Sequence, residues 1–226
     1  MTIRPAVVVA VVGVATDVGK TWVATAVLTR LEAAGMRVAA RKPVQSFEAN
    51  TGMTDADFLA AATGEDPTTV CPTHRWYPLA MAPPIAARRL GLGPIAVHDL
   101  VAELAWPSAI QIGVIETVGG ARSPMADDAD SATFVRSVVA DHVLLVANAG
   151  LGAINAVRLC ATALEATPFT VVLNRFDRDD AVHETNRAWL ADRDGFSVVT
   201  TVDDCVAAVL ELIPIGGTDP DGRLAG

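Results

Sequence analysis

Lysine is almost missing from this chain. Only two of its 17 basic residues are lysines, Lys20 and Lys42, and the others are all arginines. A bias towards arginine explains this scarcity, but it does not explain which two positions kept lysine. An ammonium group on a flexible stem is a compact point charge, whereas a guanidinium is a planar fork with a fixed geometry. Lys20 ends a glycine-containing loop and Lys42 follows the second predicted strand, so both positions indicate an enzyme that uses nucleotides.

Aromatic residues, cysteine and clustered basic residues are also scarce. Aromatics make up 5% of the chain and hydrophobic residues 51%, so the predicted core is aliphatic and suits parallel strands buried on both faces. The three cysteines and four histidines are scattered, which indicates neither a disulfide framework nor a zinc site. The net charge of −9 argues against a nucleic-acid-binding surface. The apolar run 6–12 is too short to span a bilayer, so we expect a cytoplasmic protein that binds neither nucleic acid nor membrane.

Apolar strands alternate with amphipathic helices along the chain. Predicted strands occupy 6–12, 37–41, 110–116, 143–147, 170–173 and 196–201. Predicted helices occupy 21–34, 55–62, 84–90, 98–105, 131–140, 154–166, 181–192 and 203–212, and the proline-rich segment 67–84 is predicted to be a loop. This alternation predicts an α/β fold of the P-loop NTPase type, with a doubly wound, mostly parallel sheet and helices on both faces. We expect a single domain over 1–214 and a polar C-terminal tail over 215–226.

The segment between the first strand and the first helix is similar to a phosphate-binding loop. The usual pattern is G-x-x-x-x-G-K-[ST], whereas here five residues separate Gly13 from Gly19. The Gly-Lys-Thr core and the strand–loop–helix context are intact. We expect the backbone N–H groups of residues 17–21 to bind phosphates at the helix N-terminus. Lys20 is then expected to reach the β and γ oxygens, and Thr21 to offer its hydroxyl to Mg²⁺.

Two carboxylates are candidate ligands for Mg²⁺, which prefers one or two carboxylates together with phosphate oxygens and water. Glu116 ends a buried strand, where a charge is costly without a partner; the alternative is a strand-end side chain that turns to solvent. Asp55 opens a helix for which Thr54 is the predicted N-cap; the alternative is a first-turn acid that compensates the helix dipole. Spacing alone does not separate Asp55 from Asp57 as the ligand.

Six motifs, taken in their order along the chain, resemble those of the dethiobiotin synthetase family. They read G-x-x-T-x-V-G-K-T from Gly13, K-P-V-x-S from Lys42, T-D-A-x-x-L from Thr54, E-x-x-G-G from Glu116, L-G-x-I-N from Leu151, and a strand-end asparagine at Asn174. The resemblance runs from about residue 6 to residue 176. It implies a P-loop homodimer that uses ATP and Mg²⁺ to join CO₂ to 7,8-diaminopelargonic acid, closing the ureido ring of dethiobiotin in biotin biosynthesis.

The resemblance also implies roles for individual residues. The implied catalytic residues, which meet the carbamate and the phosphates, are Thr16, Lys20 and Lys42. The implied ATP-binding residues are Asp17, Val18, Gly19, Lys20, Thr21, Trp22 and Asn174, the last of which reads the adenine edge. The implied Mg²⁺ ligands are Thr21, Asp55 and Glu116. The implied substrate-binding residues are Ser46, close to the substrate amines, and Gly152, Ala153, Ile154 and Asn155, which bind the substrate carboxylate from the neighbouring subunit.

The chain departs from the family's motifs at several positions. The usual E-G-A-G-G carries Thr117 and Val118 in place of its Gly-Ala pair, and Phe47 stands where K-P-V-x-S is normally followed by glycine. Val14 replaces a threonine of the phosphate loop, and 201–203 lacks the proline of a late I-P segment. We expect Phe47, Thr117 and Val118 to narrow the substrate region, so these changes concern substrate identity more than nucleotide use.

Two other functions stay open on the sequence. One is a related P-loop ligase that acts on a different diamine or carboxylate. The other is a partition-type ATPase, a nucleotide switch that binds partners. Such switches usually carry a second lysine early in the loop, and residues 13–18 contain none. Their membrane-targeting tails are amphipathic helices, whereas 215–226 is rich in glycine and aspartate. A ligase is therefore favoured over a switch.

Overall fold

Six strands form one central sheet, and each strand runs parallel to its neighbours. A computed structural model describes residues 4–50 and 52–213. The strands of this sheet are β1 (Val7–Gly13), β2 (Val38–Arg41), β5 (Ile112–Gly120), β6 (His142–Asn148), β7 (Phe169–Asn174) and β8 (Val198–Val199). They lie in the order β2-β5-β1-β6-β7-β8, and all these neighbours pair in parallel. Two further strands, β3 (Gln45–Ser46) and β4 (Trp76–Tyr77), form a small separate parallel sheet.

Helices cover both faces of the central sheet. They are α1 (Lys20–Ala33), α2 (Asp55–Thr63), α3 (Pro67–Val70), α4 (Pro83–Arg89), α5 (Val97–Ala102), α6 (Ser131–Ser137), α7 (Ala153–Leu164), α8 (Ala181–Ala188) and α9 (Val202–Leu210). Alternate residues of β1 point to opposite faces. Val9 and Val11 pack in one core cluster with α1, α2 and α9, whereas Ala10 and Val12 pack with α6 and α7. The predicted doubly wound α/β fold is therefore confirmed.

The segment 67–84 was predicted to be a loop, and this prediction is wrong. It contains α3, a 3₁₀ turn at Thr73–Arg75, β4 and the first two residues of α4. A proline occupies the first turn of α3 and of α4, where it is tolerated because that position has no intrahelical N–H bond to lose. The prolines therefore start helices here instead of interrupting them.

Two late elements also differ from their predictions. The predicted strand 196–201 is reduced to Val198–Val199, and the predicted helix 181–192 ends at Ala188 and continues as a π-helical turn over Trp189–Arg193. The predicted tail over 215–226 lies outside the described residues, so the domain boundary at 214 stays a prediction.

Candidate active site

The loop between β1 and α1 depends on its two glycines. A side chain at Gly13 would place a Cβ atom 2.6 Å from the Ala15 carbonyl oxygen and 2.8 Å from that of Gly119. Gly19 is the N-cap of α1 and has a left-handed φ of 92°, a conformation that glycine adopts without a steric penalty. The buried Lys20 folds back across the loop, and its Nζ donates to the Ala15 carbonyl oxygen at 3.3 Å. The loop thus curves around an ammonium group at the carboxyl edge of the sheet.

Lys42 lies between two carboxylates at the same edge of the sheet. It directly follows β2, and its side chain is only 2% exposed. Its Nζ lies 2.7 Å from Asp55 Oδ2 and 2.8 Å from Glu116 Oε1, and it donates to the Thr117 carbonyl oxygen at 3.2 Å. Glu116 is 1% exposed, so the alternative that it turns to solvent is wrong. The structure brings Lys42, Asp55 and Glu116, which are far apart in sequence, into direct contact.

Burial and neighbouring charges act in opposite directions on these groups. Burial lowers the pKa of Lys42, but the charges of Asp55 and Glu116 outweigh it and hold the pKa of this ammonium above its usual value. Burial raises the pKa of Asp55, but Lys42 outweighs it and the net pKa is lowered. Burial raises the pKa of Glu116, and burial together with the charge of Lys42 lowers the pKa of Lys20. The two neighbouring carboxylates therefore favour the charged form of Lys42.

Asp55 and Asp57 have different structural roles, although both lie in the first turn of α2. Asp57 closes a capping box, because its Oδ2 accepts from the Thr54 backbone N–H at 2.7 Å and Thr54 in turn caps the Asp57 N–H. Asp55 instead points at Lys42 and at Thr21, whose Oγ1 lies 2.9 Å from Asp55 Oδ1. The geometry therefore favours Asp55 over Asp57 as the candidate metal ligand.

The oxygen atoms around Thr21 fit a magnesium ion. Thr21 Oγ1 lies 2.9 Å from both Asp55 Oδ1 and Glu116 Oε1, yet a hydroxyl has one proton and can donate to only one of them. Glu116 Oε2 is buried and has no hydrogen-bond partner, which is costly for a carboxylate oxygen unless something compensates it. Two carboxylates and a hydroxyl are hard oxygen ligands of the kind that Mg²⁺ prefers. In the described part of the chain no group of three or more His, Cys, Asp or Glu side chains could hold a metal ion, so phosphate and water would complete this site.

Two neighbouring clefts meet at the phosphate-binding loop. The first has a volume of about 690 Å³, and its lining includes Thr16, Asp17, Lys20, Thr21, Lys42, Ser46, Asp55 and Glu116. The second has a volume of about 550 Å³, and its lining includes Trp22, Asn174, Phe176 and Val202. Asn174 Nδ2 donates to the Val18 carbonyl oxygen at 2.9 Å, which fixes the end of β7 against the loop. The sequence-predicted catalytic, metal and ATP-binding residues therefore lie along one continuous surface, except for Val18, which is buried beneath it.

The substituted motif positions are only partly on this surface. Thr117 is fully buried, and its Oγ1 donates to the Val11 carbonyl oxygen at 3.1 Å. Phe47 packs edge-on against Trp76, with ring centroids 6.2 Å apart, and neither Phe47 nor Thr117 lines the first cleft. Neither of these two residues, which were expected to narrow the substrate region, narrows this cleft. Val118 does line the cleft, so one of the three departures faces it.

The predicted carboxylate-binding residues lie apart from the clefts of their own chain. Gly152 is the N-cap of α7 with a φ of 93°, and Ala153 begins the helix. Neither cleft is lined by residues 152–155. The preceding Leu151 is 98% exposed. Within one chain, the structure does not bring Gly152, Ala153, Ile154 and Asn155 together with the two lysines.

Two residues that border the site have no role assigned from the sequence. Gln45 is buried, and its side-chain amide bonds to the first turn of α2. Arg175 is exposed, has a left-handed φ of 56°, and lines both clefts, as Gly19 does. One sequence signal could have identified Arg175, namely its position directly after a predicted strand. The carboxyl ends of parallel strands form the sheet edge where ligands of α/β proteins bind.

Comparisons with known proteins identify the family of this chain. A family model described as an AAA domain matches residues 8–205. The chain is 35% identical to an ATP-dependent dethiobiotin synthetase of Haloferax mediterranei, with 91% of each chain covered. It is also 35% identical to one of Xylella fastidiosa, with 81% of this chain and 84% of the relative covered.

Solved structures share the fold at low sequence identity. A plasmid partition protein of Borrelia burgdorferi has a TM-score of 0.53 at 13% identity, covering 93% of this chain and 96% of that one. Chloroplast FtsY of Physcomitrella patens has a TM-score of 0.50 at 17% identity, covering 95% of this chain and 67% of that one. Within the described ranges, no helix has the length and apolar character needed to cross a membrane. The two dethiobiotin synthetases, each matched over more than four fifths of its length, show that the chain belongs to the family of ATP-dependent dethiobiotin synthetases.

Proposed function

We propose that this chain joins CO₂ to the vicinal diamine 7,8-diaminopelargonic acid and closes the ureido ring of dethiobiotin at the expense of ATP. The observation that carries the proposal is the buried Lys42, held between Asp55 and Glu116 in the cleft that Lys20 and Thr21 also line. An ammonium whose charged form is favoured by two carboxylates, beside a phosphate-binding loop, suits a reaction in which two anions must meet. Membership of the family supports the choice of reaction.

The proposed chemistry begins with a neutral amine of the substrate, whose lone pair attacks CO₂ and forms a carbamate anion after loss of a proton. A carbamate oxygen then attacks the γ-phosphorus of ATP, which breaks the bond to the bridging oxygen and releases ADP. The resulting carbamic–phosphoric anhydride is attacked at its carbonyl carbon by the second amine. Inorganic phosphate leaves, the attacking nitrogen loses a proton, and the five-membered ring closes. Both amines belong to one substrate molecule, so this last step is intramolecular, and holding them in one cleft would orient the second amine towards the carbonyl carbon.

The main contribution of the protein to this reaction would be electrostatic. The carbamate and the γ-phosphate repel each other, and a loose phosphoryl transition state spreads negative charge over its oxygens. Lys20 and Lys42 are two buried ammonium groups in the same cleft, where fixed charges act more strongly than in water. They would hold the two anions in position and stabilise the charge that develops between them. Thr16, which lines the same cleft, would add a hydroxyl to this contact.

Thr21, Asp55 and Glu116 would hold Mg²⁺. Bound there, the ion would supply neutralisation of the ATP phosphates. Thr21 places its hydroxyl 2.9 Å from an oxygen of each carboxylate, so the protein ligands are already assembled around one point. Asp17, Gly19 and Trp22, on the loop and the first turn of α1, would contact the rest of the nucleotide. Asn174, on the wall of the second cleft, would meet the adenine edge.

The substrate carboxylate would bind at the start of α7 of a partner subunit. Helix N-termini attract carboxylates through free backbone N–H groups, and α7 begins at Ala153 after the exposed residues Leu151 and Gly152. Because residues 152–155 line neither cleft of their own chain, a second copy is needed to bring them to the amines near Ser46. A homodimer with the substrate between subunits satisfies this requirement.

One incubation tests the proposal. The protein is mixed with ATP, Mg²⁺, bicarbonate and diaminopelargonic acid, and the products are analysed by mass spectrometry. Dethiobiotin and ADP in equal amounts are expected. ADP without the ureido product would favour a related ligase with another substrate. No ADP release with any of these components would reject the proposed activity.

Lys42→Arg separates the role of the charge from the role of the shape at this position, because it keeps the positive charge and changes the shape of the side chain. The guanidinium is bulkier, and its planar fork cannot replace a compact point charge between two carboxylates. We expect this variant to retain little activity. A normal rate would show that only the charge matters and that the scarcity of lysine has no meaning for catalysis.

A further inference from the structure

Gln45 is a buried amide beside the proposed metal site. It lies three residues after Lys42, is only 1% exposed, and opens the short strand β3. Its Oε1 accepts from the backbone N–H of Ala56 at 3.1 Å, and its Nε2 donates to Thr54 Oγ1 at 3.3 Å. These two partners are the residues immediately before and after Asp55. The Gln45 side chain therefore hydrogen-bonds to the start of α2 on both sides of Asp55, a proposed metal ligand.

The hydrogen bonds of Thr54 show that this contact is built into the helix start. Thr54 Oγ1 donates its proton to Asp57 Oδ2 at 2.7 Å. The same oxygen accepts from the Asp57 backbone N–H at 3.4 Å and from Gln45 Nε2. A hydroxyl can donate one hydrogen bond and accept two, so the hydrogen-bonding capacity of the Thr54 hydroxyl is fully used. Removing Gln45 would leave one acceptor position at Thr54 and one buried N–H at Ala56 without these partners.

We infer that Gln45 is a positioning residue that fixes the first turn of α2 so that Asp55 faces Thr21 and Lys42. Asp55 Oδ1 lies 2.9 Å from Thr21 Oγ1 and Asp55 Oδ2 lies 2.7 Å from Lys42 Nζ, and both distances depend on where α2 begins. Asp55 is more exposed than Glu116, so packing alone holds it less firmly. The inference rests on the proposed function, because it assigns Asp55 to the metal.

The direct test is the affinity for Mn²⁺, measured by the electron paramagnetic resonance signal of the free ion in the presence of the non-hydrolysed nucleotide AMPPNP. Gln45→Met has nearly the same length and removes both hydrogen bonds. We expect it to weaken Mn²⁺ binding about tenfold, the lower end of what loss of a ligand-orienting partner typically costs. Binding of AMPPNP in the presence of EDTA should stay close to that of the wild type. Gln45→Leu also removes both hydrogen bonds without adding a charge, and gives the same readout if the methionine variant does not fold.

Thr170→Val is the matched control for a general loss of stability. Thr170 is buried near the start of β7, at the opposite end of the strand from Asn174, and its Oγ1 lies 3.0 Å from His142 Nε2. The control therefore also removes a buried hydrogen bond, but far from the metal site. It should lower the unfolding midpoint and leave the Mn²⁺ affinity unchanged. Wild-type Mn²⁺ affinity in Gln45→Met, or an equal loss in Thr170→Val, would overturn the inference.

The same samples separate this inference from the proposed function. If the wild type binds Mn²⁺ and AMPPNP but forms no ureido product, the proposed reaction fails and the role of Gln45 can still be read from the metal affinity. If Gln45→Met forms product with the wild-type dependence on Mg²⁺ concentration, the reaction stands and the positioning role fails.

Discussion

Replacing Lys42 with methionine is expected to lower the free energy of unfolding sharply at neutral pH. The two side chains have similar lengths, so the change removes the charge with little change in packing. It leaves Glu116, which is 1% exposed, and Asp55 without the ammonium that lies 2.8 Å and 2.7 Å from their oxygens. Breaking a buried ion pair by removing one partner costs about 3–5 kcal/mol. The Asp55 side chain is 40% exposed and can be hydrated, so we expect a loss of about 3 kcal/mol, mostly from Glu116.

The size of this loss should depend on pH. Burial raises the pKa of Glu116, and without Lys42 this pKa rises further because the opposing positive charge is gone. A carboxyl whose pKa is higher in the folded than in the unfolded chain stabilises the folded state at low pH, and this contribution is lost as the pH rises. Lys42→Met should therefore be closer in stability to the wild type at about pH 5.5 than at about pH 8.

Urea unfolding at both pH values, without nucleotide or divalent cations, measures these free energies. Lys42→Met combined with Glu116→Gln is the informative companion, because it removes the uncompensated charge together with the lysine. The double variant should recover most of the lost stability, since replacing a whole buried pair is often nearly neutral. The reasoning fails if Lys42→Met unfolds at the wild-type midpoint, or if its deficit grows at the lower pH.

Four further substitutions test other parts of the site. Lys20→Ala and Glu116→Gln should each abolish ATP turnover while the far-ultraviolet circular dichroism spectrum stays that of the wild type; a near-normal rate in either variant would reject the proposed site. Gly19→Ala would place a Cβ atom 2.2 Å from Asn174 Nδ2, at a residue whose φ is 92°. Calorimetric titration should therefore show greatly weakened nucleotide binding, and wild-type affinity would contradict the loop geometry. Arg175→Ala should raise the KM for ATP about three- to fivefold with kcat unchanged, because an ion pair between an exposed cation and an anion contributes up to about 1 kcal/mol. An unchanged KM would show that Arg175 does not contact the nucleotide.

Most of the fold could be predicted because the buried strands are long apolar runs. Each residue of β1 is buried, so the hydrophobic run alone identifies it. The prediction failed at 67–84 because α3 has four residues and β4 has two, which is too short for a helical or strand period to be visible. It also missed β3, another strand of two residues. Tertiary contacts, and not local propensity, define such elements.

The site could be predicted where a residue type is costly without a function. Glu116 at the end of an apolar strand and the two isolated lysines are of this kind. Spacing could not separate Asp55 from Asp57, because both suit the first turn of a helix. The capping box of Asp57 and the contacts of Asp55 with Thr21 and Lys42 separate them in the structure. Gln45 was equally invisible, since a glutamine beside Lys42 has no meaning until α2 is packed against it.

The two clefts are neighbours and share part of their lining. Asn174 on the wall of the second cleft donates to the Val18 carbonyl in the phosphate-binding loop, and Gly19 borders both clefts. Under the proposed function, the base occupies one cleft and the phosphates the other, so the ribose and its ester link must span the distance between them. A compound with a longer or shorter tether could fill either cleft but not both. The fold would thus select its co-substrate by length before any edge of the base is recognised.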